Sequence, residues 1–347
     1  MKMARIALDR TRADEIGPRP RLAFSSDDQP GWRRQKRGSG FSYADEGGNR
    51  PTPTDLNRIR SLAIPPAWTD VWICKDQSGH IQATGRDTKG RKQYRYHVDW
   101  TEHRSATKFD TLVQFSRALP GLRAQVHIDL RRRSLSYERV VASAVWLLDN
   151  SLIRVGNPAY ARDNKSFGLT TLRDRHVDIT GATLHFHFKG KSGKQWRLQL
   201  TDRRIANILK SLQDMPGQQL FQYECEDGRH TISSRDVNDY LAAFAGPDFT
   251  SKHFRTWAAT VRAFGLFADT PLPETKAAHV RAVNTVLDEV AARLGNTRAV
   301  CRQCYVHPLV PQRWLDGKLR RSGRLAQIEG LDSDEVETAA FLKRAIR

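Results

Sequence analysis

Alternation of apolar and polar residues in the first third of the chain predicts a small antiparallel sheet. Val71–Lys75 and His80–Thr84 alternate on either side of a short polar turn, which is the pattern of two paired strands. A further strand carries Tyr94 and Tyr96, and because these residues lie two positions apart, both side chains point to one face. These elements predict a β-rich domain over residues 38–101.

From about residue 102 the apolar positions follow a helical period instead. Residues 134–151, SLSYERVVASAVWLLDNS, predict a strong amphipathic helix, and residues 273–294 carry another apolar stripe. Two alternating runs around the polar tip KGKSGK predict a hairpin. The apolar residues of these runs are Leu184, Phe186, Phe188, Trp196, Leu198 and Leu200. The sequence thus predicts an α+β protein whose larger, mainly helical domain covers residues 102–325.

Both ends of the chain fall outside these two domains. Residues 1–37 are polar and rich in arginine, which predicts a flexible basic arm, and residues 326–347 form a C-terminal tail. The N-terminus has no apolar core of signal-peptide length, and no run approaches the roughly 20 apolar residues that span a bilayer. We therefore expect a protein of the cytoplasm without a membrane segment.

Charge is the compositional feature that bears most on function. The 347 residues include 57 Lys and Arg against 38 Asp and Glu, a formal net charge of +19. Such an excess costs stability through self-repulsion, so it indicates a polyanionic partner. Nucleic acid is the favoured partner because no membrane signature accompanies the charge. A basic protein without such a partner is the alternative.

The four cysteines raise the question of a metal or redox site. Cys301 and Cys304 form a C-x-x-C pair, whereas Cys74 and Cys225 are isolated in the sequence. A structural zinc usually takes four ligands, often from two such pairs, and a redox pair usually accompanies a βαβ unit that is not predicted here. The sequence therefore predicts no metal site and no cofactor, and it favours cysteines that pack in the fold.

Candidate catalytic residues are basic and aromatic, because no carboxylate cluster suited to Mg²⁺ occurs in the sequence. Chemistry on a phosphate then needs a side-chain nucleophile surrounded by cations. Arg154 interrupts an apolar run, Lys191 lies at the hairpin tip, and Lys252 and Arg255 share a helix face. Tyr305 lies near the end of a predicted helix. A structural salt bridge, a solvated turn lysine and a half-buried tyrosine are the ordinary alternatives.

Several short motifs occur in a definite order along the chain. They are GFSYAD, IPPAWTDVWI and GRDTKGRKQYRYH, followed by LIRVGN, SFGLTTLRDRHV, FHFKGKSGK, KHFRTW and LGNTRAVCRQCYVHP. In these motifs the sequence resembles the type IB DNA topoisomerases, specifically the small bacterial and poxvirus-like branch, over about residues 38–320. The resemblance implies the catalytic fold that topoisomerases IB share with tyrosine recombinases.

The resemblance also implies a catalytic set, carried over motif by motif. Its members are Arg154, Lys191, Arg255, Asn296 and the nucleophile Tyr305. Lys189 and Lys194 are the alternatives to Lys191 within the hairpin motif. Many relatives have His at the position of Asn296, so the resemblance implies a neutral hydrogen-bond donor there. It favours the phenol of Tyr305 over the neighbouring thiols as the working group.

The implied reaction is relaxation of supercoiled DNA by a monomeric enzyme without ATP or metal. The tyrosine forms a 3′-phosphotyrosyl bond and releases a 5′-OH strand, the arginines neutralise the phosphorane, and Lys191 protonates the leaving oxygen. Double-stranded DNA is the implied partner, held between the two domains in the bacterial cytoplasm and nucleoid. The implied DNA contacts are Gln93, Tyr94, Tyr96, Tyr160 and Lys252.

Two other functions compete with this interpretation. A tyrosine recombinase uses the same nucleophile and similar cations, but it typically has His three residues before the second arginine, where this chain has Lys252. Recombinases also lack the domain that contains IPPAWTDVWI. A non-catalytic DNA-binding protein would use only the basic surface, and the ordered set of five residues argues against it.

Overall fold

The chain forms two compact units, Met1–Asp110 and Thr111–Arg347. The structure is a computed structural model that describes residues 22–101, 109–323 and 325–345. The first unit contains an antiparallel sheet, and the second is mainly helical with two smaller groups of strands. The predicted α+β architecture is therefore confirmed.

A five-stranded antiparallel sheet in the order β2-β1-β3-β4-β5 forms the N-terminal unit. Its strands are β1, Gly31–Arg37; β2, Gly40–Ala44; β3, Thr69–Cys74; β4, Ile81–Arg86; and β5, Lys92–Tyr96. Helix α1, Pro53–Ser61, begins at a capping box between Thr52 and Asp55. Ile59 of this helix joins strand residues in one apolar core, which contains Trp32, Ile59, Val71, Ile73 and Ala83.

Strand β1 lies within the residues for which the sequence predicts a flexible arm. Most side chains of β1 are basic, so the sequence pattern hides its one core residue, Trp32, which is only 8% exposed. Arg34 donates to the carbonyl oxygens of Pro65 and Trp68, at 3.0 and 2.6 Å, so this arginine stabilises the fold. Residues 31–37 thus belong to the sheet rather than to an arm, while residues 1–21 lie outside the described residues.

Helices make up most of the C-terminal unit. They are α2, Leu112–Asp129; α3, Tyr137–Ser151; α4, Pro158–Asn164; α5, Arg203–Gln213; α6, Ser234–Phe244; α7, Ser251–Ala268; α8, Lys276–Leu294; α9, Arg298–Cys304; α10, Leu309–Leu315; and α11, Ser333–Ala345. Helix α7 is buried on nearly all sides, with α2, α3, α8, α10 and α11 packed around it. In the described part of the chain, no helix has the length and apolar character needed to cross a membrane.

Two antiparallel sheets accompany these helices. The strands β6, Val177–Thr180, β7, Thr183–Lys189, and β8, Gln195–Thr201, form one sheet, and β7 and β8 are the predicted hairpin. Phe188 pairs with Trp196 in its register, so the tip comprises residues 190–194. A second hairpin consists of β9, Gln222–Cys225, and β10, Gly228–Thr231.

Helix α11 covers residues for which the sequence predicts only a tail. Glu335 of this helix is 6% exposed. It accepts hydrogen bonds from Arg123 of α2 at 2.7 Å and from the indole of Trp257 of α7 at 2.9 Å. A buried carboxylate is tolerated only with such partners, so α11 is an integral part of the C-terminal unit.

Candidate active site

Arg154 stands just after α3, where the chain leaves the helix. The C-cap residue Leu152 has a left-handed backbone with φ 58°, and Ile153 beyond it is buried. The half-buried guanidinium of Arg154 donates from Nη2 to Asn296 Oδ1 at 2.5 Å. The apolar residues before Arg154 are therefore the C-terminal end of helix α3. Arg154 itself is hydrogen-bonded to Asn296, another residue of the predicted catalytic set.

Arg255 is the buried centre of the site, with 4% of its surface exposed. From α7 its Nη1 donates to the Leu152 carbonyl, and its Nη2 donates to the Leu294 carbonyl at 2.7 Å. These carbonyls lie at the C-terminal ends of α3 and α8, where a helix leaves its own carbonyls unpartnered. Burial lowers the pKa of Arg255, and the nearby charge of Arg154 lowers it further. A guanidinium nevertheless stays charged at neutral pH.

Asn296 follows Gly295, the left-handed C-cap of α8 with φ 61°. Because a guanidinium can only donate, the atom that meets Arg154 must be the amide oxygen of Asn296. Within the described residues, the buried amide nitrogen of Asn296 has no hydrogen-bond partner, and neither has Nε of Arg255. Buried donors without a partner are rare, because they cost folding free energy. These two N–H groups can donate hydrogen bonds to an anionic ligand.

Tyr305 ends helix α9 and lies beside Arg255. Its N–H donates to the Cys301 carbonyl at 3.0 Å, and its own carbonyl accepts from Thr260 Oγ1 at 3.2 Å. The guanidinium carbon of Arg255 lies 5.2 Å from the centroid of the Tyr305 ring, a cation–π distance. Since Thr260 and Arg255 both belong to α7, a single helix holds the backbone of Tyr305 and places a cation against its ring.

The buried cysteine of helix α9, Cys301, packs in the core. Cys301 is fully buried, and burial raises its pKa to about 11. Its thiol is therefore protonated at neutral pH and is a poor nucleophile. Cys301 and Cys304 are both free cysteines and form no disulfide.

The hairpin tip rests on the loop that carries Asn296. Lys194 Nζ donates to the Asn296 carbonyl at 3.0 Å. The indole of Trp196 lies so close to Gly295 that an added Cβ would stand 2.9 Å from the ring. A Cβ on Gly190, in the tip itself, would stand 2.6 Å from the same indole. The indole thus fills the space between the tip and the Asn296 loop, and both glycines permit this close approach.

Lys191 occupies the apex of the hairpin. Residues 191–193 form a tight turn, in which Ser192 adopts a left-handed backbone with φ 61°. Lys191 is exposed in this turn. Of the two other hairpin lysines, Lys189 ends strand β7 and Lys194 contacts Asn296.

The structure brings four of the predicted catalytic residues together and leaves the fifth on the adjoining hairpin. The four are Arg154, Arg255, Asn296 and Tyr305. Lys191 belongs to the hairpin that Lys194 and Trp196 anchor beside Asn296. Sequence reasoning missed Thr260, because a threonine within a buried helix has no pattern of its own. It also missed the contact by which Trp196 anchors the hairpin. The available signal was Gly295 of the LGN motif, since a glycine permits the close approach of a large side chain.

Four of the predicted DNA contacts, Tyr94, Tyr96, Tyr160 and Lys252, are exposed, and the fifth, Gln93, is half-buried. Tyr160 is 50% exposed on α4, and Lys252 is exposed in the first turn of α7. In the N-terminal unit, Tyr94 and Tyr96 lie on one face of β5 with stacked rings whose centroids are 5.8 Å apart. Gln93, on the other face of that strand, donates to a carboxylate of its own unit at 2.9 Å.

Two protein families match consecutive parts of the chain. The family described as "Eukaryotic DNA topoisomerase I, catalytic core" matches residues 92–313. The family described as "Bacterial DNA topoisomerase IB, N-terminal domain" matches residues 40–87. The two matches together include strands β2–β5 of the N-terminal sheet and all the clustered residues.

Individual relatives agree with these families. The chain is 34% identical over 282 residues to DNA topoisomerase 1B of Acanthamoeba polyphaga mimivirus, which covers 79% of this chain and 84% of that protein. It is 22% identical over 261 residues to DNA topoisomerase 1B of vaccinia virus (strain Copenhagen), and this match covers 72% of this chain and 78% of the viral protein. It is 27% identical over 196 residues to DNA topoisomerase 1 of Mycosarcoma maydis, and this match covers 51% of this chain and 18% of the fungal protein. The chain therefore belongs to the type IB DNA topoisomerases.

Proposed function

We propose that this enzyme relaxes supercoiled double-stranded DNA by transient cleavage of one strand, with Tyr305 as the nucleophile. The phenolic oxygen attacks a backbone phosphorus, forms a 3′-phosphotyrosyl bond and releases a strand with a free 5′-OH. That strand rotates about its partner, and attack by the 5′-OH then restores the backbone. Because one phosphodiester is exchanged for another, the cycle consumes no ATP.

The contact between Arg255 and Tyr305 carries this proposal. A tyrosine has an ordinary pKa of about 10, so its proton must leave as the oxygen attacks. A guanidinium carbon 5.2 Å from the ring centroid stabilises the developing phenolate. Two helix-end carbonyls hold both terminal nitrogens of Arg255, so the charge needs no rearrangement at the moment of reaction.

Arg154, Arg255 and Asn296 supply the groups that a pentacoordinate phosphorus needs. The phosphorane carries an additional negative charge, which fixed cations and aligned donors stabilise. The buried Asn296 Nδ2 and Arg255 Nε lack hydrogen-bond partners among the described residues, which suits them to a phosphoryl oxygen. In this mechanism the two arginines provide the positive charge, and the reaction proceeds without a metal ion.

Lys191 acts as the general acid for the leaving 5′ oxygen. An alkoxide is strongly basic, so its departure needs a proton from a positioned donor. The contact of Lys194 with the Asn296 carbonyl supports Lys191 over Lys194, because it leaves Lys191 at the apex of the anchored hairpin. Arg154 assists from the Asn296 side of the cluster.

DNA binding involves both units of a monomer that works on the bacterial nucleoid. The contacts are Gln93, Tyr94 and Tyr96 of the N-terminal unit, and Tyr160 and Lys252 of the C-terminal unit. With a net charge of +19, the protein draws most of its affinity from phosphate contacts. Binding therefore weakens steeply as salt concentration rises.

Plasmid relaxation in EDTA without ATP tests this function. The parent enzyme should relax the plasmid, and it should take up the label of a 5′-labelled strand when the reaction is stopped with detergent. Tyr305→Phe should do neither. Tyr223→Phe is the matched control, because it removes a phenolic oxygen from the β9–β10 hairpin instead. Parental relaxation by Tyr305→Phe, or uptake of label only from a 3′-labelled strand, would overturn the proposal.

A further inference from the structure

Three metal-ligating side chains meet on the β9–β10 hairpin. Cys225, Asp227 and His230 place a thiol sulfur, a carboxylate oxygen and an imidazole nitrogen within 4.8 Å of one another. Asp227 Oδ1 is the common point, 2.8 Å from Cys225 Sγ and 3.2 Å from His230 Nε2. None of these residues belongs to the cluster around Tyr305.

The geometry of the hairpin produces this arrangement. Cys225 pairs with Gly228, so residues 226 and 227 form the turn, and Gly228 has φ 121°, a value that favours glycine. His230 pairs with Tyr223, and their stacked rings have centroids 5.6 Å apart. The ring of Tyr223 in turn packs edge-on against Tyr137 of α3, with centroids 5.2 Å apart. The imidazole is therefore held in place from the neighbouring strand.

We propose that this hairpin binds one divalent transition-metal ion, Zn²⁺ or Co²⁺, through Cys225, Asp227 and His230. In a tetrahedral site, bonds of about 2.0–2.3 Å place ligand atoms about 3.3–3.6 Å apart. The nitrogen–oxygen distance of 3.2 Å lies close to this range, whereas the sulfur and oxygen, 2.8 Å apart, must separate by about half an ångström or more, which side-chain rotation of Cys225 and Asp227 allows at this exposed turn. Water takes the fourth position.

The donor set determines the class of ion. A thiolate and an imidazole favour zinc-like transition ions, whereas Ca²⁺ and Mg²⁺ take oxygen ligands. Without an ion, the Cys225 thiol donates to Asp227, which raises the pKa of Cys225 and lowers the pKa of Asp227. Coordination releases the thiol proton to solvent, and the sulfur binds as thiolate.

In the sequence, Cys225 belongs to no four-ligand zinc spacing. The C-x-D-x-x-H spacing becomes meaningful only when a hairpin folds it back on itself. Metal binding here is independent of the proposed cleavage reaction, since no residue of the hairpin site takes part in it. Failure of one proposal therefore leaves the other standing.

Titration of the reduced, metal-stripped full chain with Co²⁺ tests the site. We expect a thiolate-to-cobalt charge-transfer band and tetrahedral ligand-field bands that saturate at one equivalent and disappear when Zn²⁺ is added. Cys225→Ser should abolish the charge-transfer band, and His230→Gln should weaken binding at least about tenfold. Cys304→Ser is the matched control, because the C-x-x-C pair is the other place where a thiolate could bind cobalt.

The deciding observation is which cysteine substitution removes the thiolate-to-cobalt charge-transfer band. A band retained in Cys304→Ser and lost in Cys225→Ser supports the hairpin site. No thiolate band at excess Co²⁺, or a band that survives Cys225→Ser, overturns it. Circular dichroism should show native folding for each variant, because the substituted side chains of the hairpin are exposed or half-buried.

Discussion

The guanidinium of Arg255 faces the ring of Tyr305 at 5.2 Å, while carbonyls at the ends of α3 and α8 hold both of its terminal nitrogens. The position of this cation is therefore determined by three helices of the C-terminal unit. A charge held in this way is preorganised for a transition state, and it also contributes to the packing of the helices.

Replacement of Arg255 by lysine should separate charge from geometry. Lysine keeps the charge, but its single ammonium cannot match the planar fork that reaches Leu152 and Leu294. We expect single-turnover cleavage to slow by about 10²-fold or more. Arg262→Lys is the control on the same helix, since its partner Glu289 is at the surface. Parental cleavage by folded Arg255→Lys would contradict the role of the fork.

Removal of the proposed acid should be rescued by a better leaving group. Lys191→Ala should slow cleavage by about 10²–10⁴-fold on an ordinary phosphodiester. A 5′-phosphorothiolate linkage should restore the rate, because a thiolate leaves without a proton. Lys189→Ala, two residues away on the same hairpin, is the control and should behave like the parent on both substrates. Without rescue in Lys191→Ala, the acid must lie elsewhere.

The contact of Trp196 with Gly295 should be needed for cleavage. Gly295→Ala places a Cβ 2.9 Å from the indole, which pushes the hairpin off the Asn296 loop. We expect cleavage to slow by about 10–100-fold, since small displacements of reacting groups are costly. Gly181→Ala is the matched control, because Gly181 has the same φ of 61° and no atom within 4 Å of the added carbon.

DNA binding distinguishes a positioning effect from damage to the fold in these glycine variants. Both should bind a duplex oligonucleotide with nearly parental affinity, and only Gly295→Ala should lose cleavage. Equal loss in the two variants would mean that backbone strain, and not the Trp196 contact, is responsible.

Acid should destabilise the protein through His307. This residue is 4% exposed, burial lowers its pKa to about 4, and its Nδ1 accepts from the Leu309 N–H at 3.2 Å. An unfolded histidine has a pKa of about 6.5, so below that pH the unfolded chain binds the proton first. The contribution of His307 to the free energy of unfolding is complete above pH 6.5 and is lost as the pH falls towards 4. At pH 5 the loss is about 2 kcal/mol.

Urea unfolding at pH 7.5 and pH 5 measures this effect. His307→Asn keeps an acceptor for the Leu309 N–H but cannot titrate, so its free energy of unfolding should fall less between the two pH values. Some loss should remain, because burial also lowers the pKa of His176 to about 4. An equal loss in parent and variant would show that His307 is not the titrating group.

Elements with a clear periodicity were predictable, and elements without one were not. The helix with the YERVVASAVWLL pattern and the FHF hairpin occur as expected, because one side of each faces the core. Strand β1 carries mainly basic side chains, and β10 is exposed throughout, so neither has an apolar alternation to detect. Their pairing depends on backbone hydrogen bonds, which leave no trace in composition.

By itself the sequence predicted the two-domain α+β architecture, favoured a polyanionic partner, and carried the motifs that mark Arg154, Lys191, Arg255, Asn296 and Tyr305. Only the tertiary structure decided that Arg154 pairs with Asn296, that Arg255 joins two helix ends, and that Trp196 seats the hairpin on Gly295. Local patterns depend on residues a few positions apart, which share one helix face or strand face. The three tertiary contacts, in contrast, join segments that are distant in the chain, and packing of the whole C-terminal unit selects their partners.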